Sequence, residues 1–228
     1  MRLATMTEFR LATLALATLL AAGVATASQA QEALVVVELF TSQGCSSYPP
    51  ADAFLTDLVR ERRDVLPLAF NVSYWDQLGW KDPYAMDAAT TRQKAYARQF
   101  RDDGIYTPQM VVDGSTGFVG SDRSAGLNAI KDAGRKTVPV TISRDGPSLL
   151  MKVGRGGGPG ISEAPSAARG AGTAQIVLVG FDPSHITPIG RGKISGRTLL
   201  ETNIVRSLTP VGSWSGSAVD LREPPPAG

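Results

Sequence analysis

The feature that most constrains this chain is a switch of hydrophobic period on either side of residue 45. Residues 34–40 form a short, nearly continuous apolar run rich in valine and interrupted only by Glu38. Such a run reads as a strand buried on both faces. A polar turn, Thr41-Ser42-Gln43-Gly44, comes next, then Cys45-Ser46-Ser47-Tyr48-Pro49-Pro50. From Ala51 the spacing becomes helical: Ala51, Phe54, Leu55, Leu58 and Val59 fall on one face. Consecutive prolines are tolerated only in a helix's first turn, where backbone N–H groups lack intrahelical partners. The helix is therefore expected to begin close to Cys45. Residues 65–72 supply a second apolar run, and strand, helix and strand together predict a βαβ unit with a right-handed crossover.

Residues 73–86 are aromatic and irregular, with Tyr74, Trp75, Trp80 and Tyr84. Residues 87–102 read as a helix with Tyr96 and Phe100 on its apolar stripe and Arg92, Lys94, Arg98 and Arg101 on a solvated face. Tyr106-Thr107-Pro108 leads into a strand at 109–113, Asp113-Gly114 signals a hairpin, and 116–119 returns. Ser121 or Asp122 is placed to cap a last helix running to about residue 133, with Leu127 and Ile130 facing inward. The order β-α-β-α-β-β-α is that of a thioredoxin-type fold. The expected class is α/β: a thioredoxin-like fold over residues 33–135 with an appended C-terminal antiparallel β unit over 137–220. Within that unit, strands at 138–143 and 149–153 flank Asp145-Gly146, and further strands lie at 174–181 and 197–208. The Gly-rich stretch 154–172 reads as a flexible loop, and 221–228 as a disordered tail. Its glycines do not join a strand to a helix, as a phosphate cradle requires.

Residues 1–30 have the three parts of a cleaved secretory signal: Arg2 and Arg10, an apolar run over 11–24, and Ser28-Gln29-Ala30 before the cut. The apolar run is shorter than the roughly 20 residues a membrane span needs, so no stable membrane span is expected after cleavage. Loss of Arg2, Arg10 and Glu8 with the leader takes the net charge from +2 to +1. That balance, with no dense basic cluster, argues against a nucleic-acid partner. Cysteine usage says more. The chain has one Cys, so no intramolecular disulfide forms, and an odd exported Cys points to a reactive thiol or an intermolecular partner.

Cys45 follows a buried strand and precedes a helix. The helix dipole and free backbone N–H groups there would favour thiolate and acidify the thiol. The thiolate is the species that attacks disulfides and peroxides. Thr107-Pro108 stands just before a strand, the position at which a cis proline faces the reactive thiol in thioredoxin-type folds, and a cis bond is expected.

The segment Val36-Val37-Glu38-Leu39-Phe40-Thr41-Ser42-Gln43-Gly44-Cys45-Ser46-Ser47 with Pro49-Pro50-Ala51-Asp52 resembles the signature of a secreted bacterial thioredoxin-like family, domain of unknown function 1223. The segments 74–83 and 106–114 resemble it too, as does the later stretch containing Arg191-Gly192, Gly196-Arg197-Thr198-Leu199 and Asn203-Ile204-Val205-Arg206. The resemblance implies a thioredoxin-like fold, thiol redox activity and a periplasmic or secreted location in a bacterium. It implies no particular substrate. The family pattern reads Cys-Ser-Ser-Cys-Pro-Pro, and here Tyr48 occupies the second Cys position. Lys193 and Ile194 depart from the acidic and amide pair expected after Arg-Gly. Tyr48 cannot resolve a mixed disulfide, so any cycle at Cys45 needs an external thiol.

The candidate catalytic residues are Cys45 and Pro108, and Tyr48, Thr107, Trp75 and Trp80 are candidate walls of a substrate groove. Asp76 and Asp82 read as loop caps. His185, in the polar stretch Asp182-Pro183-Ser184-His185, reads as a surface residue and not as a base for Cys45. One Cys and one His do not make a usual zinc site, so neither metal nor cofactor is expected. Two functions follow. One is a monothiol redox protein whose partner is a protein or small-molecule thiol or disulfide. The other is a degenerate, non-catalytic binding or structural member.

Overall fold

The computed structural model of the chain describes residues 34–133, 138–156 and 173–226. The expected signal segment and most of the Gly-rich loop lie outside the described residues. Strand β1 (Val35–Thr41) is followed by α1 (Pro49–Glu61), β2 (Val65–Asn71), a 3-10 turn (Ser73–Leu78), α2 (Asp87–Phe100), β3 (Gln109–Val112), β4 (Thr116–Val119) and α3 (Arg123–Asp132). β1 and β2 run parallel from Val35↔Val65 to Thr41↔Asn71, and β3 joins the other side of β1 antiparallel. The fold is α/β, a central mixed sheet with helices on both faces plus a second antiparallel sheet.

The two faces of β1 explain its unbroken apolar run. Val37 and Leu39 face Ala51, Phe54, Leu55 and Leu58 of α1 and Ile130 of α3. Phe40 points the other way, toward Phe70, Val111 and the Ala89 and Tyr96 side chains of α2. Alternation along a strand puts Glu38 on Phe40's face. It is buried there, paired with Arg92 (Nη2 to Oε1, 2.7 Å) and accepting from the Tyr96 hydroxyl. Arg92, expected on a solvated face, instead lies 5.3 Å over the Tyr96 ring. A buried acid on the neighbouring strand draws it inward.

Helix α3 is capped as expected, Asp122 accepting from Ala125 N at 2.9 Å. Leu127 and Val59, expected to face inward, are exposed. Gly126 and Ile130 take the buried positions on α3. The missing side chain at Gly126 lets the helix approach Phe54 so closely that a Cβ there would fall 2.4 Å from the ring.

The C-terminal part differs most from expectation. β7 (Ala174–Pro188) and β8 (Thr198–Trp214) are much longer than the predicted strands. They do not form one unit with β5 (Val140–Asp145) and β6 (Ser148–Val153). β8 pairs parallel with β2 at Ala69↔Ile204, giving a six-stranded sheet in the order β4-β3-β1-β2-β8-β7. The hairpin covers the edge that β2 would otherwise expose, and Val205 enters the same core as Phe40 and Phe70. β5 and β6 pair instead with β9 (Val219–Glu223). Residues 221–223, expected in a disordered tail, are therefore strand. The polar stretch Asp182-Pro183-Ser184-His185 also lies within β7, beyond the strand expected to end at 181. β7 is an edge strand, where a proline is tolerated.

Candidate thiol site

Cys45 lies four residues before the first residue of α1, with Tyr48 as the helix N-cap. Its own N–H bonds Ser42 O at 3.0 Å. The expected donors to sulfur are not supplied by the first turn. Pro49 and Pro50 have no N–H, and the N–H groups of Ala51 and Asp52 both reach Tyr48 O, at 2.9 and 3.1 Å. The sulfur is itself the donor, to Thr107 O at 3.7 Å. The Thr107–Pro108 bond is cis. Trp75 Nε1 donates to Thr107 Oγ1 at 2.9 Å, so one loop fixes both the thiol's acceptor and an aromatic neighbour.

Cys45 and Tyr48, each 2% exposed, pack in one cluster with Ile189, Ile194 and Leu199, and Trp75 and Trp80 lean against it. The expected wall residues are thus assembled around the thiol. The aliphatic cover was not expected. It comes from the connection between β7 and β8 and from Leu199 at the start of β8. Lys193, a departure from the family pattern, sets its Nζ 4.8 Å from the Trp75 ring centre. Ile194, the other departure, is buried in the cluster.

Behind this apolar layer lies a polar one that sequence reading missed. Asp82 accepts from Gln43 N and Asn71 Nδ2, both at 2.9 Å, and from Tyr84 N. Glu201 accepts from Gln43 Nε2 and from Asn71 Nδ2 at 3.1 Å. Trp80 Nε1 closes the network on Gln43 Oε1 at 2.8 Å. Asp76 caps the loop as expected, accepting from Asp82 N at 3.2 Å. Burial pushes the Asp82 and Glu201 carboxyls up, Glu201 also through the charge of Asp82. Asp52, on α1, is pushed well up by burial and then by Glu201 and Asp82, and its Oδ2 is buried without a partner. Burial, with Asp52 and Glu201 beside it, likewise raises the Tyr48 hydroxyl, which stays protonated and offers no substitute for a second thiol. The available signal for this layer was Glu201. It sits on the same face of β8 as Leu199, a charge where alternation calls for an apolar residue.

His185 is not part of the site. Its Nε2 lies 3.0 Å from Asp182 Oδ2 and its ring 5.1 Å from that of Tyr84. Among the described residues no group of three or more His, Cys, Asp or Glu is arranged to hold a metal ion, and no helix is long and apolar enough to cross a membrane.

These features define an α/β protein with a single thiol enclosed between a cis-proline loop and a C-terminal hairpin. The chain belongs to the family described as protein of unknown function (DUF1223), whose model matches residues 36–227. It is similar to a crystal structure of a protein from Agrobacterium tumefaciens, a structural-genomics target, with 32% identity, 85% of this chain and 80% of that one covered, and a TM-score of 0.69. HBP35 of Porphyromonas gingivalis is similar in fold at 10% identity, covering 84% of this chain and 63% of that one with a TM-score of 0.54. No curated protein matches.

Proposed function

We propose that this chain is an exported bacterial protein of thioredoxin-like fold, acting as a monothiol in disulfide exchange through Cys45. The sheet order β4-β3-β1-β2 with α1 and α2 as crossovers supports the fold reading. The observation that carries the chemical reading is the placement of Cys45 Sγ against Thr107 O, one residue before the cis Pro108. The thiol loses its proton and attacks a disulfide R–S–S–R′. A Cys45–S–S–R bond forms, the S–S bond of the substrate breaks, and R′–S⁻ leaves. An external thiolate then attacks the R sulfur and releases Cys45 as thiolate, since Tyr48 cannot do so. Incubation of the chain with a small symmetric disulfide should give one adduct per chain by intact mass, located at Cys45 and removed by added thiol. Absence of any adduct, even from a variant whose thiol labels freely, would overturn the proposal.

One observation favours the second reading, a non-catalytic binding or structural member: Cys45 is a buried residue in an apolar cluster. In that case Cys45→Ser keeps full biological function, whereas the monothiol reading predicts its loss.

A further inference from the structure

We propose that residues 189–197, the connection between β7 and β8, form an autoinhibitory cover over Cys45. The cover opens as a unit without global unfolding, and Cys45 meets its reaction partner only in the open form. The inference deepens the monothiol reading above and rests on it for its purpose, though not for its test.

Three observations carry it. First, the only buried residues in this stretch are Ile189 and Ile194, and both pack on the Cys45–Tyr48 cluster. Cys45 is 2% exposed within that cluster, so a disulfide has no line of approach while the cluster stays closed. Second, the stretch is closed on itself. Ile189 N bonds Arg197 O and Gly196 N bonds Ile189 O, both at 2.8 Å, while Ser195 reaches Gly192 O through its N–H and Gly190 O through its hydroxyl. It can move without losing its own shape. Third, nothing directional fastens it down. Among the described residues no hydrogen bond joins 190–196 to the strand, helix and loops around Cys45. What holds the tip is aliphatic contact and the Lys193–Trp75 stacking.

Gly192 gives a handle on the closed form. Its φ of +84° is a conformation side chains resist, and a Cβ there would stand 3.0 Å from Trp80 Cβ. Trp80 is held in place by Gln43, so Gly192→Ala should lift the tip. Ile194→Ser removes an apolar anchor, and Lys193→Ala removes only the stacking of an exposed side chain.

The experiment is the rate at which iodoacetamide alkylates Cys45 in the native full chain, with urea midpoints and unfolding rates measured beside it. The wild type should label at least about 100-fold more slowly than the urea-unfolded chain, yet faster than it globally unfolds. Gly192→Ala and Ile194→Ser should label at least about 10-fold faster than wild type, beyond what any drop in global stability supplies, and Lys193→Ala a few-fold faster. Wild-type labelling as fast as the unfolded chain would overturn the cover. So would labelling limited by global unfolding in wild type and variants alike. The two proposals fail separately. Variants that label quickly but form no mixed disulfide sink the redox reading and leave the cover standing. A wild type that forms the adduct as fast as its opened variants sinks the cover and leaves the redox reading.

Discussion

Asp52, Asp82 and Glu201 bring three carboxyl groups into the interior near Tyr48, and the hydrogen-bond partners of the Asp82 and Glu201 carboxyls are all neutral. Their folded-state affinities for protons are raised first by burial and then by neighbouring carboxylates, Asp76 beside Asp82 included. A carboxyl raised on folding contributes stability that is fully present below its unfolded pKa of about 4, and that is lost as pH rises through the folded value. Asp52→Asn cannot ionise, so it should exceed wild type in stability at pH 8. That advantage should shrink toward zero below pH 4. Urea midpoints across this range check the sign; an advantage that grows toward acid would contradict the argument. At Tyr48 the prediction concerns the thiol itself. Tyr48 shares Cys45's cluster, so Tyr48→Cys should form an internal, reducible disulfide between residues 45 and 48, seen as the loss of two hydrogens by mass.

At the scale of elements, the first half of the chain was legible and the second was not. A period of 3.6 places α1 and α2, and continuous apolar runs place β1 and β2, because both strands are covered on both faces. The long hairpin of β7 and β8 escaped because its partner, β2, lies far back in the chain, and a single apolar run looks the same at a sheet edge or inside it. Arg92 and Glu38 escaped for a related reason: a solvated basic face and a buried ion pair have the same local pattern. Arg92→Ala leaves Glu38 buried without its cation. It should cost roughly 3 kcal/mol, toward the lower end of the range for breaking a buried pair because Arg92 is itself partly exposed. Gly126→Ala tests the α3–α1 contact. Helix propensity alone predicts a gain of about 1 kcal/mol. Overpacking against Phe54 predicts a net loss of about 1–2 kcal/mol, and thermal melts decide between them.

At the scale of the molecule, the hairpin does two jobs. Val205 completes the core beneath α2, and Ile189, Ile194 and Leu199 enclose the thiol. The protein should therefore unfold as one unit, with tryptophan fluorescence from Trp75, Trp80 and Trp214 coinciding with the loss of secondary structure in urea. Two separate transitions would mean that the hairpin is an independent piece. The same arrangement makes Cys45 a thiol with a stored approach and no internal partner, so its chemistry depends on what reaches it from outside. The direct test is the exchange rate between a small disulfide and an external thiol in the presence of the chain, compared with Cys45→Ser. The account predicts acceleration by the wild type, rising further in Gly192→Ala and absent in Cys45→Ser. Equal rates with wild type, Gly192→Ala and Cys45→Ser would contradict it.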